Sequence, residues 1–249
     1  MPGYALLLAA SAAVRAASLN MCADEYLLLL ARPEEIASVS RLSRDPADSL
    51  LWQLGRRFPG NRGTLESALK THPNLLITMG GNGRSTGLIA KQMGLKTLDL
   101  PFPNSIADVA KNMALLAGAL GDDRRAQTWQ EKLARLRQSR IPMRDAIFLQ
   151  SGGGSVGANS VGADWMRMAG LRQRELPGGR ASLELLATRP PAVLLRSTYR
   201  RAERSLGQAW LDHPLASPKT SWIVPVDGRP WTCAGPLMLD EVERLRRAL

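Results

Sequence analysis

Apolar and polar positions along this chain follow two periods that alternate in a regular order. Short apolar runs bounded by turn residues predict buried strands at 16–20, 35–40, 74–78 and 96–100. Between them, stretches with apolar residues three and four apart predict helices at 23–31, 48–57, 64–71 and 85–93. Pro59, Gly60, Gly63 and the run Gly80-Gly81-Asn82-Gly83 punctuate the series. Strand and helix alternating in this way predict a parallel α/β layer. A longer amphipathic helix follows at 106–120. Gly121 breaks it, and Asp122 caps a second helix that runs to about 139. Ala126, Trp129, Leu133 and Leu136 share one face of that helix, opposite Arg125, Lys132, Arg135 and Arg137. The α/β pattern then restarts. Strands are predicted at 146–150, 192–196 and 221–226, and helices at 163–169, 182–188 and 237–249, with a glycine-rich loop at 152–159.

One stretch recurs. Thr64-Leu65-Glu66 leads to Pro73 and an apolar strand, and Ser182-Leu183-Glu184 leads to Pro191 and another, with Leu, Glu and Pro at one fixed offset. Each copy reads as N-cap, short helix, proline and strand, so the same unit is used once in each half. In both copies the Glu falls in the first helical turn. There the helix dipole favours a carboxylate and the side chain faces water.

Composition narrows the field. The chain has 249 residues, 45% of them apolar and 22% charged, which is globular usage. Two Cys exclude a disulfide-rich scaffold and any four-Cys zinc or iron–sulfur site. His72 and His213 each precede Pro, and no multi-His metal spacing exists. The formal net charge of +11 points to nucleic acid, a membrane surface or an anionic ligand. The Arg residues are dispersed, however, and no aromatic-interleaved basic cluster or recognition motif is present, so nucleic acid is not the expected partner. At the start, YALLLAASAAV (4–14) has the length of a secretory h-region, and Ala10-Ser11-Ala12 gives an A-x-A cleavage site. No basic residue precedes it. No later stretch is apolar enough to span a bilayer.

Several segments resemble the periplasmic substrate-binding proteins of ABC importers for cobalamin and ferric siderophores. They are ASLNMCADEYLLLL (17–30), TLESALKTHPNLLITMGGN (64–82), SIADVAKNMALLAGALG (105–121), WMRMAGL (165–171), SLELLATRPPAVLL (182–195) and VDGRPWTCAGP (226–236). The resemblance covers the chain from about Ala16. It implies two Rossmann-like α/β lobes joined by one long backbone helix, with a ligand cleft between the lobes. The divisions would be a leader over 1–14, a first lobe over 15–120, the linking helix over 121–140 and a second lobe over 141–249. It implies a monomeric, exported, non-enzymatic receptor. That receptor has no intrinsic cofactor, and carries a cobalt corrinoid or ferric siderophore to an importer permease and its ATPase.

The same resemblance places ligand-facing residues on the loops at the strand ends: Asn20, Met21, Cys22, Arg41, Met79, Asn82 and Arg84 in the first lobe, and Gln150, Arg196, Tyr199, Trp231 and Cys233 in the second. Trp231 and Tyr199 suit stacking on a planar ligand. Arg41, Arg84 and Arg196 suit carboxylates, catecholates or phosphate. Glu66 and Glu184 match the positions that dock on permease arginines, against the plainer reading of two helix-dipole charges. Three readings of Cys22 and Cys233 stay open: a bridge across the cleft, thiols facing ligand, or two unrelated buried thiols.

A rival reading is a nucleotide-dependent α/β enzyme using the loop from Gly152 to Gly157, which fits G-x-G-x-x-G after a strand. Against it, the helix is delayed to about Ala163, and the next acid, Glu175, follows no predicted strand.

Overall fold

A computed structural model describes residues 13–81, 84–139, 141–199 and 205–249. The leader expected over 1–14 lies, up to residue 12, outside them. The first half runs β1 (Ala16–Ser18), α1 (Met21–Leu30), β2 (Ile36–Ser40), α2 (Trp52–Gly55), β3 (Gly60–Asn61), α3 (Leu65–Leu69), β4 (Leu75–Met79), α4 (Arg84–Gln92) and β5 (Lys96–Leu100). Two helices follow, α5 (Ile106–Ala119) and α6 (Gln127–Gln138), with a 3-10 turn at Asp123–Ala126 between them. The second half runs β6 (Arg144–Leu149), α7 (Val161–Met168), β7 (Leu171–Gln173), α8 (Leu183–Thr188), β8 (Val193–Thr198), α9 (Leu206–Leu211), β9 (Trp222–Asp227), α10 (Arg229–Cys233) and α11 (Met238–Ala248).

The strands form two wholly parallel sheets, ordered β3-β2-β1-β4-β5 and β7-β6-β8-β9. The second order repeats the first without its outermost strand, so β6 stands where β1 does and β8 where β4 does. β1, β2 and β4 are buried along their whole length, as strands covered by helices on both faces must be. The repeat seen in the sequence is real at the level of caps. The Thr64 hydroxyl accepts from the Ser67 N–H at 3.4 Å, and the Ser182 hydroxyl accepts from the Leu185 N–H at 3.0 Å.

One apolar cluster crosses both halves. It takes Tyr26 and Leu27 of α1, Met113 and Leu116 of α5, Leu133 of α6, Trp165 of α7 and Met238 and Val242 of α11. Smaller clusters lie under the outer helices of each sheet, one around Leu65 and Leu76 and one around Leu186 and Leu194. The lobes therefore share their inner core and keep separate outer ones. The linking passage adds polar ties. Trp129 Nε1 donates to the Pro236 carbonyl at 3.0 Å, and Lys132 of α6 pairs with Asp240 and Glu243 of α11. At the other end of the passage, the Arg125 guanidinium chelates the buried carboxylate of Glu35. Burial opposes ionisation of Glu35. The hydrogen bonds and charge of Arg125 and Arg32 outweigh it and bring the carboxyl down to about 2.

The expected helix over 48–57 shrinks to the single turn of α2. Loop backbone occupies the rest, because this segment reaches across to the second lobe. The strands β3 and β7 and the helices α9 and α10 were not anticipated; each is six residues or shorter, too short for periodicity to register.

Candidate functional site

The C-terminal ends of the strands meet at the lobe junction, where ligands of open parallel sheets bind. Asn20, directly after β1, is the N-cap of α1. Its Oδ1 accepts from the Ala23 N–H at 2.8 Å and its Nδ2 donates to the Met79 carbonyl at 3.3 Å. It ties the ends of β1 and β4 together. One helical turn on, the carboxylate of Asp24 accepts from the Ser40 N–H, the Ser40 hydroxyl and the Ser43 hydroxyl, at 2.5–3.1 Å. Burial nevertheless pushes this carboxyl up to about 6, against the pull of those hydrogen bonds. This cradle holds the 3-10 turn Arg41–Arg44, and with it the loop leading to Asp48.

Four ties from the segment 227–237 and from Tyr199 fasten the second lobe to the first. Cys22, in the first turn of α1, forms a disulfide with Cys233 at the end of α10, with Cα atoms 5.3 Å apart. Arg229 holds Asp227 through Nε and Nη2, while its Nη1 donates to the Pro46 carbonyl at 2.7 Å and the Ser49 carbonyl at 3.4 Å. The Tyr199 hydroxyl donates to Asp48 Oδ1 at 3.1 Å. The Leu237 N–H donates to Glu25 Oε1 at 2.8 Å. Glu25 is buried between α1 and the loop before α11, and burial pushes its carboxyl up to about 8, opposed by that one hydrogen bond.

The expected site residues are distributed as follows. The open question about the thiols closes on the bridge, since Cys22 and Cys233 are bonded to each other. Asn20 follows β1, Met21 opens α1, Gln150 follows β6 and Tyr199 follows β8, with Met21 half-buried and Gln150 exposed. Arg41 is exposed on its 3-10 turn. Asn82 and the Arg84 side chain fall outside the described residues. Three expectations need correction. Met79 is 3% exposed and packs in the shared core, because it is the last residue of a strand covered on both faces. Trp231 belongs to α10 rather than to a loop. It is 6% exposed, and its ring lies 4.4 Å from that of Phe148 in the core. Arg196 faces the outer side of its sheet, where it pairs with Asp212 at 2.7 Å and reaches Ser217. A strand alternates faces, so Arg196 shares the side of Leu194, away from the junction.

Glu66 and Glu184 are both exposed, each in the first turn of its helix. Glu184 borders a groove of about 1210 Å³ lined also by Leu185, Arg189, Leu206 and Trp210.

The glycine-rich loop is consumed by packing. A Cβ on Gly153 would stand 2.5 Å from the Ala181 carbonyl and 3.0 Å from the Trp210 ring, and Gly153 has φ +79°. The Ser155 hydroxyl turns back to donate to the Phe148 carbonyl at 2.6 Å. Glu175 does follow a strand, β7, contrary to expectation. Even so, α7 begins only at Val161, and the loop's backbone is spent on its own lobe.

Sequence reading missed Asp48, Arg229 and Glu25. Arg229, two residues past an acid at a strand end, carried a local signal for an Asp-held guanidinium. Glu25 in the middle of an apolar helix carried one for a buried carboxyl.

Two parallel α/β lobes that face each other by their strand ends and are joined through helices define the two-lobe fold of periplasmic binding proteins with a helical connection. No family model matches the chain, and no curated protein does. Solved structures do. The periplasmic heme-binding protein HutB of Vibrio cholerae aligns over 94% of this chain and 98% of its own, with 18% identity and a TM-score of 0.73. A periplasmic heme-binding protein from Pseudomonas aeruginosa aligns over 94% and 91%, with 20% identity and a TM-score of 0.69. The periplasmic vitamin B12-binding protein BtuF of Vibrio cholerae aligns over 94% and 95%, with 18% identity and a TM-score of 0.62. At these identities the likeness carries the fold.

Proposed function

We propose that this protein is a non-enzymatic receptor of the bacterial periplasm that captures a metal chelate between its lobes and delivers it to an ABC importer. The observation that carries the reading is the junction itself, with strand ends of two parallel sheets facing each other in a fold that also serves heme- and vitamin B12-binding proteins. The disulfide supports an oxidising compartment. Among the described residues no helix is long and apolar enough to cross a membrane. The ligand class is a metal tetrapyrrole, corrinoid or ferric siderophore, and the dispersed cationic surface favours an anionic one. Glu66 and Glu184, one exposed carboxylate per lobe, are the docking points for a permease that carries complementary arginines. The shared inner core keeps lobe movement small. The protein acts as a monomer and binds no nucleic acid.

The test is a titration of the oxidised protein with hemin, cyanocobalamin, cobinamide and ferric catecholates, read by absorbance and by thermal shift. Saturable one-to-one binding of one of them is expected. Stabilisation by nucleotides alone would instead support the enzyme reading.

A further inference from the structure

The ties between the lobes are not spread evenly across the junction. Cys22 follows β1, and the loop carrying Pro46, Asp48 and Ser49 follows β2, so the disulfide, the Arg229 clasp and the Tyr199 contact all sit on the β1–β2 side of the first sheet. β4 and β5 lie on the other side of β1. Among the described residues, no hydrogen bond or ion pair runs from the ends of β4 and β5 to the second lobe.

One large side chain stands there. Phe102 follows β5, which is parallel to β4 and paired with it in register from Leu75↔Lys96 to Met79↔Leu100. Gly80 and Phe102 therefore lie together at the junction end of the sheet. Phe102 is 55% exposed. It rests on Gly80, whose φ is +86° and where a built Cβ would stand 2.8 Å from the ring. The backbone beneath it is stiff. Phe102 lies between Pro101 and Pro103, and Asn112 of α5 donates to the Pro101 carbonyl at 2.8 Å. Three residues on, Ser105 and Ile106 line a 480 Å³ hollow together with Asp164 and Arg167 of the second lobe, so the segment runs along the lobe boundary.

Among the described residues two other aromatic rings are exposed. Trp222 opens β9 at the opposite end of its strand and has the Arg144 guanidinium over its face. Tyr199 commits its hydroxyl to Asp48. An exposed phenyl ring on a stiff backbone at the junction end of a sheet gives a flat apolar ligand a stacking surface at little ordering cost.

We propose that Phe102 is a ligand-positioning residue: its exposed ring, fixed on Gly80 and between two prolines, is the platform on which the flat face of a metal macrocycle stacks. This rests on the receptor reading above and narrows its ligand to the planar class. The experiment compares the oxidised full chain with Phe102→Ala and Phe102→Tyr, each titrated with hemin, cyanocobalamin and a ferric tris-catecholate, which presents no flat face.

Phe102→Ala should weaken macrocycle binding about tenfold, the loss of one aromatic stacking contact. Phe102→Tyr should retain it, and the unliganded melting temperature of both variants should stay within a degree or two of the parent. Three results overturn the proposal while leaving the receptor reading in place: unchanged macrocycle affinity in Phe102→Ala, equal loss in both variants, or a parent that binds only the catecholate. A parent that binds none of the three removes both.

Discussion

The Cys22–Cys233 bond closes a loop with a sequence separation of 211, so its removal tests how the lobes are held. In the chain-entropy treatment, cross-linking residues that far apart restricts the unfolded chain by about 18 cal/mol/K, or ~5 kcal/mol at 25 °C. Measured bridges commonly deliver about 2–4 kcal/mol of such a figure. The lower part of that range is taken here, since residual order in the reduced unfolded chain diminishes the entropic gain. For a chain of this size each kcal/mol moves the midpoint by about 2–4 °C. The expected loss on reduction is therefore of the order of 5–10 °C. The assay is thermal unfolding with and without reductant, for the parent and for Cys22→Ala/Cys233→Ala. Reductant should lower the parent midpoint to near that of the double variant and leave the double variant unmoved. Mass spectrometry of the oxidised parent should show two hydrogens fewer than the reduced form. A parent midpoint insensitive to reductant, with the bond shown to be broken, would refute the argument.

Two buried carboxyls should move stability with pH in opposite directions. Glu25, raised from 4.5 to about 8, is neutral in the fold where the unfolded chain ionises it, so it opposes folding increasingly as pH rises from about 4.5 to 8. Glu25→Gln should then stabilise the protein by a few kcal/mol at pH 8, with the advantage vanishing near pH 4.5 in denaturant titrations. Glu35, lowered to about 2, contributes stability that is complete above about 4.5 and is lost as pH falls towards 2. Glu35→Gln should cost about 2–3 kcal/mol at pH 7, and the gap should close in acid. Arg229→Ala leaves the Pro46 and Ser49 carbonyls without that donor and should cost about 1–3 kcal/mol, with faster amide exchange over 46–49 as the local readout. Charge reversal at both Glu66 and Glu184 should abolish uptake in cells while the purified protein binds ligand as before; parallel loss of both would remove the docking role.

Most of the architecture was legible because it rests on local signals. Thr64, Ser105, Ser160 and Ser182 each cap the helix that follows them, and the runs at 36–40 and 75–79 are apolar enough to declare buried parallel strands. The site was only half legible. Asn20, Cys22 and Tyr199, which follow strands, and Cys233, which ends α10, all make contacts where the lobes meet. Strand-end position could not tell which way a side chain points once there. Arg196 faces the outer side of its sheet, Met79 is buried in the shared core, and Trp231 packs on Phe148. Contacts made by loops are the least legible of all. Nothing in residues 45–50 announces that their carbonyls will meet an arginine some 180 positions later.

The clasp of the first lobe by residues 227–237 has a consequence for the order of events in folding. Cys22 and Glu25 are among the first residues of the fold, and their partners Cys233 and Leu237 are among the last. With two cysteines only one intramolecular pairing exists, so oxidation needs no reshuffling. It does need the chain as far as Cys233. The first lobe can collapse early, but its opening helix stays unfinished until the final strand and helix arrive. A molecule cut short anywhere before residue 233 would lose the bond that fastens its own beginning.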